Sequence, residues 1–266
     1  RVLITGATDE IGLETAKMLV LKGHHVLLHG RNSEKLAQVE KVLSELGHAG
    51  QIESYIADLS SIKDVESLAK SVADKHSRLD VLINNAGVLK TPNPITPDGL
   101  DVRFVVNTIA PYRLTQLLLP LFDTTGRIIN ISSAAQASVN LKALAGHMKL
   151  SDMEAYSQSK LAIIMWSREM ANSLGAAGPV IVAVNPGSLL ASKMVKEGFG
   201  VVGKDIGIGA DILCRAALCE EFENVSGEYF DNDVGELASP HSDAINLQKS
   251  KALVRAIDSI LAEMMR

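Results

Sequence analysis

Tyr156 and Lys160 are the two residues in this chain whose types and spacing most directly suggest chemistry; they lie four positions apart in Ala155-Tyr156-Ser157-Gln158-Ser159-Lys160. On a helix that spacing stacks them on one face, about 6 Å apart along the axis. A phenol ordinarily keeps its proton until about pH 10. A neighbouring ammonium favours the phenolate, so the pair is expected to be a proton donor and acceptor tuned toward neutral pH. Many helices carry Tyr and Lys at this spacing merely as a packing pair. What surrounds the pair decides between the two readings.

The elements that must position the pair can be read along the chain. An apolar run at residues 2–5 opens into Thr5-Gly6-Ala7-Thr8-Asp9-Glu10-Ile11-Gly12. Ile11, Thr15, Ala16, Leu19 and Val20 then recur at helical spacing. Strand, glycine turn and helix together aim backbone N–H groups at a pyrophosphate. Further apolar runs at residues 26–28, 52–57, 81–83, 127–131, 180–184 and 227–231 read as strands, with helices between and after them. Ser33 is expected to cap the second helix. Pro111 is expected to kink or bound a long helix at residues 98–122, which contains Asn107. His24-His25 reads as a loop entering a strand.

Continuous apolar strands alternating with helices predict an α/β fold. The expected form is a doubly wound (Rossmann-like) parallel sheet of about seven strands, with helices on both faces, in a single domain over residues 1–266. Ligands of such sheets lie beyond the carboxyl ends of the strands. Here Gly, Asn, Ser and Asp gather at those ends.

Composition narrows the function. The 266 residues carry a formal net charge of −5 and only 4% aromatics, which argues against a nucleic-acid surface. Cys214 and Cys219 fall on different helix faces, so neither a disulfide nor a metal pair is expected, and stray thiols fit a reducing compartment. The histidines lack ligand spacing, and no metal is expected. No run reaches membrane-span length and no secretory pattern opens the chain, so a cytoplasmic protein is expected. The sequence starts at Arg1 directly in a strand, so the initiator Met and a few residues are expected to precede it.

Taken together, these motifs resemble the short-chain dehydrogenase/reductase family. The glycine turn, Asp58-Leu59, Asn84-Asn85-Ala86-Gly87, Asn107, Ser133, the Tyr156/Lys160 pair and Asn185-Pro186-Gly187 occur in the family's order along nearly the whole chain. The resemblance implies that Tyr156 exchanges a proton with the substrate oxygen. It implies that Lys160 lowers the Tyr156 pKa and hydrogen-bonds the nicotinamide ribose. Ser133 would bond the substrate carbonyl, with Ser132 as its near rival, and Asn107 would support a water-mediated proton path to Lys160. The cofactor-binding positions it implies are Gly6, Thr8, Glu10, Ile11, Gly12, Arg31, Asp58, Leu59, Asn85, Ala86, Gly87, Tyr156, Lys160, Pro186 and Gly187. Ser133 and Tyr156 are 23 positions apart, a long gap that resembles the retinol-dehydrogenase-like branch, as does Gly227-Glu228-Tyr229-Phe230. The extra residues, near 137–153, are expected to wall the substrate pocket together with residues 188–204. Members usually pair through the helices holding Asn107 and Tyr156. A homodimer or homotetramer is therefore expected, with Met165 and Trp166 on the second of those helices.

NAD-preferring dinucleotide folds place an acid at the end of the second strand. Gly30 stands there and Arg31 follows, and a guanidinium suits a 2′-phosphate. NADP(H) is therefore the expected cofactor, with NAD(H) as the alternative and Lys35 as a lesser helper. The glycine turn departs from the family's TGxxxGxG, because Glu10 replaces the middle glycine. Its carboxylate would repel a pyrophosphate by up to about 4 kcal/mol at 4 Å, and Asp9 adds charge nearby. Both side chains are expected to turn to solvent. After Gly187, Ala191 replaces a threonine common in the family, Ser192 is a weak substitute, and residues 193–203 read as a lid. Leu141, Leu144, Met148, Leu189, Leu190 and Met194 suggest a moderately apolar substrate. The leading reading is an NADP(H)-dependent oxidoreductase acting on a small-molecule carbonyl or alcohol. The alternatives are a non-catalytic nucleotide-sensing or interaction protein and a C=C reductase.

Overall fold

A computed structural model describes the chain except residues 47–49, 191–193, 195, 197–202 and 265–266. Among the described residues, eight strands form one sheet in the order β3-β2-β1-β4-β5-β6-β7-β8. They are β1 (Val2–Ile4), β2 (Val26–Gly30), β3 (Ile52–Ile56), β4 (Val81–Asn84), β5 (Arg127–Ile131), β6 (Val180–Asn185), β7 (Tyr229–Asp231) and β8 (Glu236–Leu237). All neighbours pair in parallel except β7 and β8. The last strand exceeds the seven expected. Its two residues are both exposed, too short and too wet to leave a hydrophobic period.

Alternation along the strands sends successive side chains to opposite faces. Leu3, Leu27, Leu82, Ile128 and Ile181 enter one core. It is covered by α3 (Ile62–Lys75), α5 (Ala110–Leu118), α7 (Asp152–Leu174) and the C-terminal helix Leu247–Met264. Ile4, Leu28, Ile83, Ile129 and Val182 enter the other, under α1 (Glu10–Leu21), α2 (Ser33–Ser44) and the helix Gly207–Leu218. Asn32, one residue earlier than expected, caps α2 by accepting Lys35 N–H at 2.8 Å.

The long helix around Asn107 begins later than the sequence suggests. Asp101 accepts Arg103 N–H and starts α4 (Val102–Phe104). A π-helical turn, Val105–Ile109, then leads into α5. Pro111 lies in the first turn of α5 and has no N–H to return to the Asn107 carbonyl four residues back; the wider turn absorbs that lost bond.

A buried polar ladder fixes these helices to the sheet. Asn84 Nδ2 donates to Asn130 Oδ1 (2.8 Å) and Thr115 Oγ1 (3.1 Å), and Asn130 Nδ2 donates to Ser167 Oγ (2.8 Å). It joins β4, β5, α5 and α7. On the outer side of α7 lies the C-terminal helix, where Leu253, Ile257, Ile260 and Leu261 are buried. Tyr112 on α5 donates to Asp258 Oδ1 at 2.9 Å. Met165 and Trp166 are buried within the single chain and supply no surface for pairing. Among the described residues no helix is long and apolar enough to cross a membrane.

Candidate active site

All the strand-end motifs converge at the carboxyl edge of the sheet, and the strand order reverses between β1 and β4, which opens the crevice there. The Ser151/Glu154 capping box starts α7 and sets Tyr156 one turn in. Buried Arg103 ties this start to the loop after β4. Its guanidinium donates to Asp101 (2.8 and 2.6 Å), the Leu89 carbonyl (3.3 Å) and Asp152 in the first turn of α7.

Lys160 Nζ lies 5.7 Å from the Tyr156 ring centroid, as the helical spacing requires. It donates to the Ile131 carbonyl at 2.8 Å. The electrostatics differ from expectation. Burial raises the Tyr156 pKa, and the opposing pull comes from a hydrogen bond with the Ser133 hydroxyl, not from Lys160. The ammonium is itself desolvated, and its pKa is pushed down to about 8. In the fold each group therefore resists charging while the other is neutral.

The rival serines separate cleanly. The Ser132 hydroxyl donates to the Lys160 carbonyl at 2.7 Å and serves the backbone of α7. Ser133 is the one that meets the phenol. Asn107 Oδ1 accepts Val88 N–H (2.8 Å), and its Nδ2 donates to the Val88 carbonyl (2.9 Å) and to Ser159 Oγ (3.0 Å). A Cβ on Gly87 would stand 3.4 Å from Lys160 Nζ and 3.5 Å from Asn107 Oδ1, so Gly87, Asn107 and Lys160 share one small space.

The glycine turn has the shape of an anion cradle. A Cβ on Gly12 would sit 2.2 Å from the Gly6 carbonyl and 2.5 Å from Asn85 Nδ2, so only glycine fits. Thr5 Oγ1 accepts the N–H groups of Asn85 and Ala86, and Asn85 Nδ2 donates to the carbonyls of Thr5 and Gly6. Asp9 provides no side-chain cap to α1. It is exposed, as expected, and pairs with Lys35. Lys35 is therefore already engaged by Asp9. Glu10 is half-buried instead of open to solvent, and its φ of +51° keeps the left-handed conformation that a glycine adopts freely. Glu10→Gly is expected to raise stability by about 1 kcal/mol and to tighten NADPH binding. Denaturant midpoints and fluorescence titration of both forms check the two effects.

At the adenosine end, Arg31 is exposed just beyond β2. A Cβ on Gly30 would stand 2.5 Å from Thr8 Cγ2, so an acid at that place would have to displace the Thr8 side chain. Exposed Asp58 accepts Ser60 N–H at 2.9 Å, and Leu59 is buried, so only its backbone is available there. At the other end, Asn185 Nδ2 donates to Asp231 (2.8 Å) and Asp233 (2.9 Å), and Asp233 also receives Ser188 N–H (2.8 Å). The β7–β8 turn thus pins Pro186-Gly187-Ser188, a link that chain order hides. Ala191, Ser192 and most of residues 193–203 lie outside the described residues. Of the apolar candidates, Leu144 and Leu190 are core, while Leu141, Met148 and Leu189 are exposed. Residues 137–153 fold onto α7 through Ala137 N–H to the Ser157 carbonyl (3.3 Å) and Asn140 N–H to Gln158 (2.8 Å).

A doubly wound sheet with a glycine cradle and a buried Tyr–Lys pair beside Ser133 defines a nicotinamide-dependent oxidoreductase. The family model for short chain dehydrogenases matches residues 1–199, and the chain belongs to that family. It is 32% identical over 261 residues to retinol dehydrogenase 13 of Mus musculus, covering 91% of this chain and 78% of that protein. This relative places the chain with the retinol-dehydrogenase-like branch. Among solved structures, an uncharacterised protein from Mycobacterium paratuberculosis superposes with a TM-score of 0.80 at 27% identity, covering 97% of this chain and 92% of that one. The landomycin C-6 ketoreductase, solved with NADP and rabelomycin, gives a TM-score of 0.68 at 27% identity, covering 88% and 94%.

Proposed function

We propose that this enzyme is NADP(H)-preferring and interconverts a carbonyl and an alcohol, with Tyr156 as the proton donor and acceptor. The observation that carries the reading is the buried Tyr156 ring with Lys160 Nζ 5.7 Å from its centroid, on the helix that faces Ser133. Bound nicotinamide supplies or accepts the hydride. The hydroxyls of Ser133 and Tyr156 hold the substrate oxygen, and Tyr156 gives up its proton as negative charge builds there. Lys160 then faces a phenolate, and its charged form is favoured by that new neighbour. Asn107, fixed by Val88 and Ser159, lines the route by which water returns a proton to Lys160.

Gly6, Thr8, Glu10, Ile11 and Gly12 would hold the pyrophosphate largely through the backbone. Asp58 and Leu59 would border the adenine, and Asn85, Ala86, Gly87, Pro186 and Gly187 the nicotinamide half. Arg31 would meet the 2′-phosphate. The absence of an acid at Gly30 and the NADP held by the ketoreductase neighbour support that preference. The substrate is proposed to be apolar, from the exposed Leu141, Met148 and Leu189 and from the relative named for retinol. Residues 1–266 would act as one domain, with pocket walls at 137–153 and 188–204.

NADPH oxidation against a panel of apolar aldehydes, ketones and enones tests the reaction. Turnover confined to enones would replace this reading with C=C reduction. Arg31→Ala is expected to weaken NADPH by about 10- to 100-fold, the worth of a charge-assisted hydrogen bond, and NADH far less. Equal losses for both cofactors would remove Arg31 from the 2′-phosphate.

A further inference from the structure

His29 is the fourth residue of β2 and is only 3% exposed. Gly6 N–H donates to its Nδ1 at 3.2 Å, and the next amide, Ala7 N–H, donates to its carbonyl at 2.9 Å. On the other side of the ring, Nε2 lies 3.1 Å from the Ala57 carbonyl, just past the end of β3. A ring nitrogen that accepts from Gly6 must be bare, so Nε2 carries the proton and donates to Ala57. Burial pushes the imidazole down to about 4, with the Ala57 bond and Asp58 acting in the opposite direction. The ring is thus neutral, in one tautomer, at ordinary pH.

This geometry clamps the glycine turn from two sides. Toward β4, a Cβ on Gly6 would lie 3.0 Å from the Ala86 Cα, so the turn cannot slide that way. Toward β2, the amides of Gly6 and Ala7 are both committed to His29. The amides left to face an anion are those opening α1, where Asp9 gives no side-chain cap.

We infer that His29 is a positioning residue for cofactor binding. It holds Gly6 through Nδ1 and thereby sets the height of the first turn of α1 above the sheet. The inference rests on the proposed reading of the glycine turn as the cofactor cradle. No charge or nucleophile of His29 takes part; the ring acts through the backbone it holds.

Three substitutions separate its two hydrogen bonds. In His29→Asn the amide oxygen reaches the Nδ1 position and keeps the Gly6 bond. In His29→Gln the longer amide reaches Ala57 and loses Gly6. His29→Phe fills the space and loses both. Fluorescence titration with NADPH is expected to show affinity weakened about five- to tenfold in the Gln and Phe forms and largely recovered in Asn. At saturating NADPH, kcat is expected to stay close to that of the unaltered enzyme in all three, so the effect falls on cofactor KM. If Phe does not fold, the Asn and Gln pair carries the comparison. Equal dissociation constants across the variants, or Asn as weak as Gln, would overturn the inference while leaving the cofactor assignment standing. Absence of dinucleotide binding by the unaltered enzyme would overturn both.

Discussion

Tyr156→Phe is expected to lower kcat by about 10³-fold, within the span that positioned acid–base groups usually contribute, while NADPH still binds. The ring is 8% exposed, and phenylalanine fills nearly the same space, so the packing of α7 should survive. What disappears is one hydroxyl, with its bond to Ser133 and its proton. Steady-state turnover on the best carbonyl substrate, paired with cofactor fluorescence, separates loss of chemistry from loss of binding. A Phe variant keeping a tenth of the activity would end the proton-transfer assignment. A variant that no longer bound NADPH would show that the hydroxyl serves the cofactor instead.

Lys160→Met carries the second large effect, and it acts in two directions. Turnover is expected to fall by about 10²-fold or more, because the phenolate formed at Tyr156 loses the ammonium beside it. Stability of the cofactor-free protein should rise. Lys160 titrates at about 8 in the fold instead of the ordinary 10.5, since burial penalises the ammonium. At 1.36 kcal/mol per pKa unit that penalty is roughly 3 kcal/mol, and losing the bond to the Ile131 carbonyl returns about 1 kcal/mol of it. The sign of the pH dependence follows from proton counting. Between pH 8 and 10.5 the unfolded chain binds more protons at this lysine than the folded one, so the contribution to stability rises with pH across that window. Below pH 8 the full penalty stands, and above 10.5 it is gone. Urea unfolding of both forms at pH 7, 9 and 10.5 should show the Met advantage shrinking as pH rises. A constant difference would mean that burial does not shift the Lys160 pKa in the fold.

The sequence made legible what is local or repetitive. The i, i+4 spacing of Tyr156 and Lys160, the glycines around α1 and the strand-end motifs each sit within a few residues, and the parallel sheet follows from alternating elements. It left obscure what only register brings together. His29 and Gly6 are 23 residues apart, and Asn130 and Ser167 are 37 apart. No period links them, because their contact depends on how β1, β2, β5 and α7 align. The burial that raises the Tyr156 pKa is hidden for a related reason. Desolvation is a sum over everything packed around a group, and a two-residue motif carries none of that sum. Likewise the burial of Met165 and Trp166 depends on a core that includes the C-terminal helix, more than eighty positions later in the chain.

The interlock of Gly12 with Asn85 bears on how the enzyme comes to be assembled. The cradle is not a property of the first strand–turn–helix unit, since its rear wall comes from residues some eighty positions downstream. A nascent chain that has folded only through β3 has the glycines but not the receptacle. Loop closure over that distance must come first, and such non-local pairing is slow. A dinucleotide can therefore recognise only the completed sheet, and saturating amounts should protect the native state in proportion to the logarithm of their concentration.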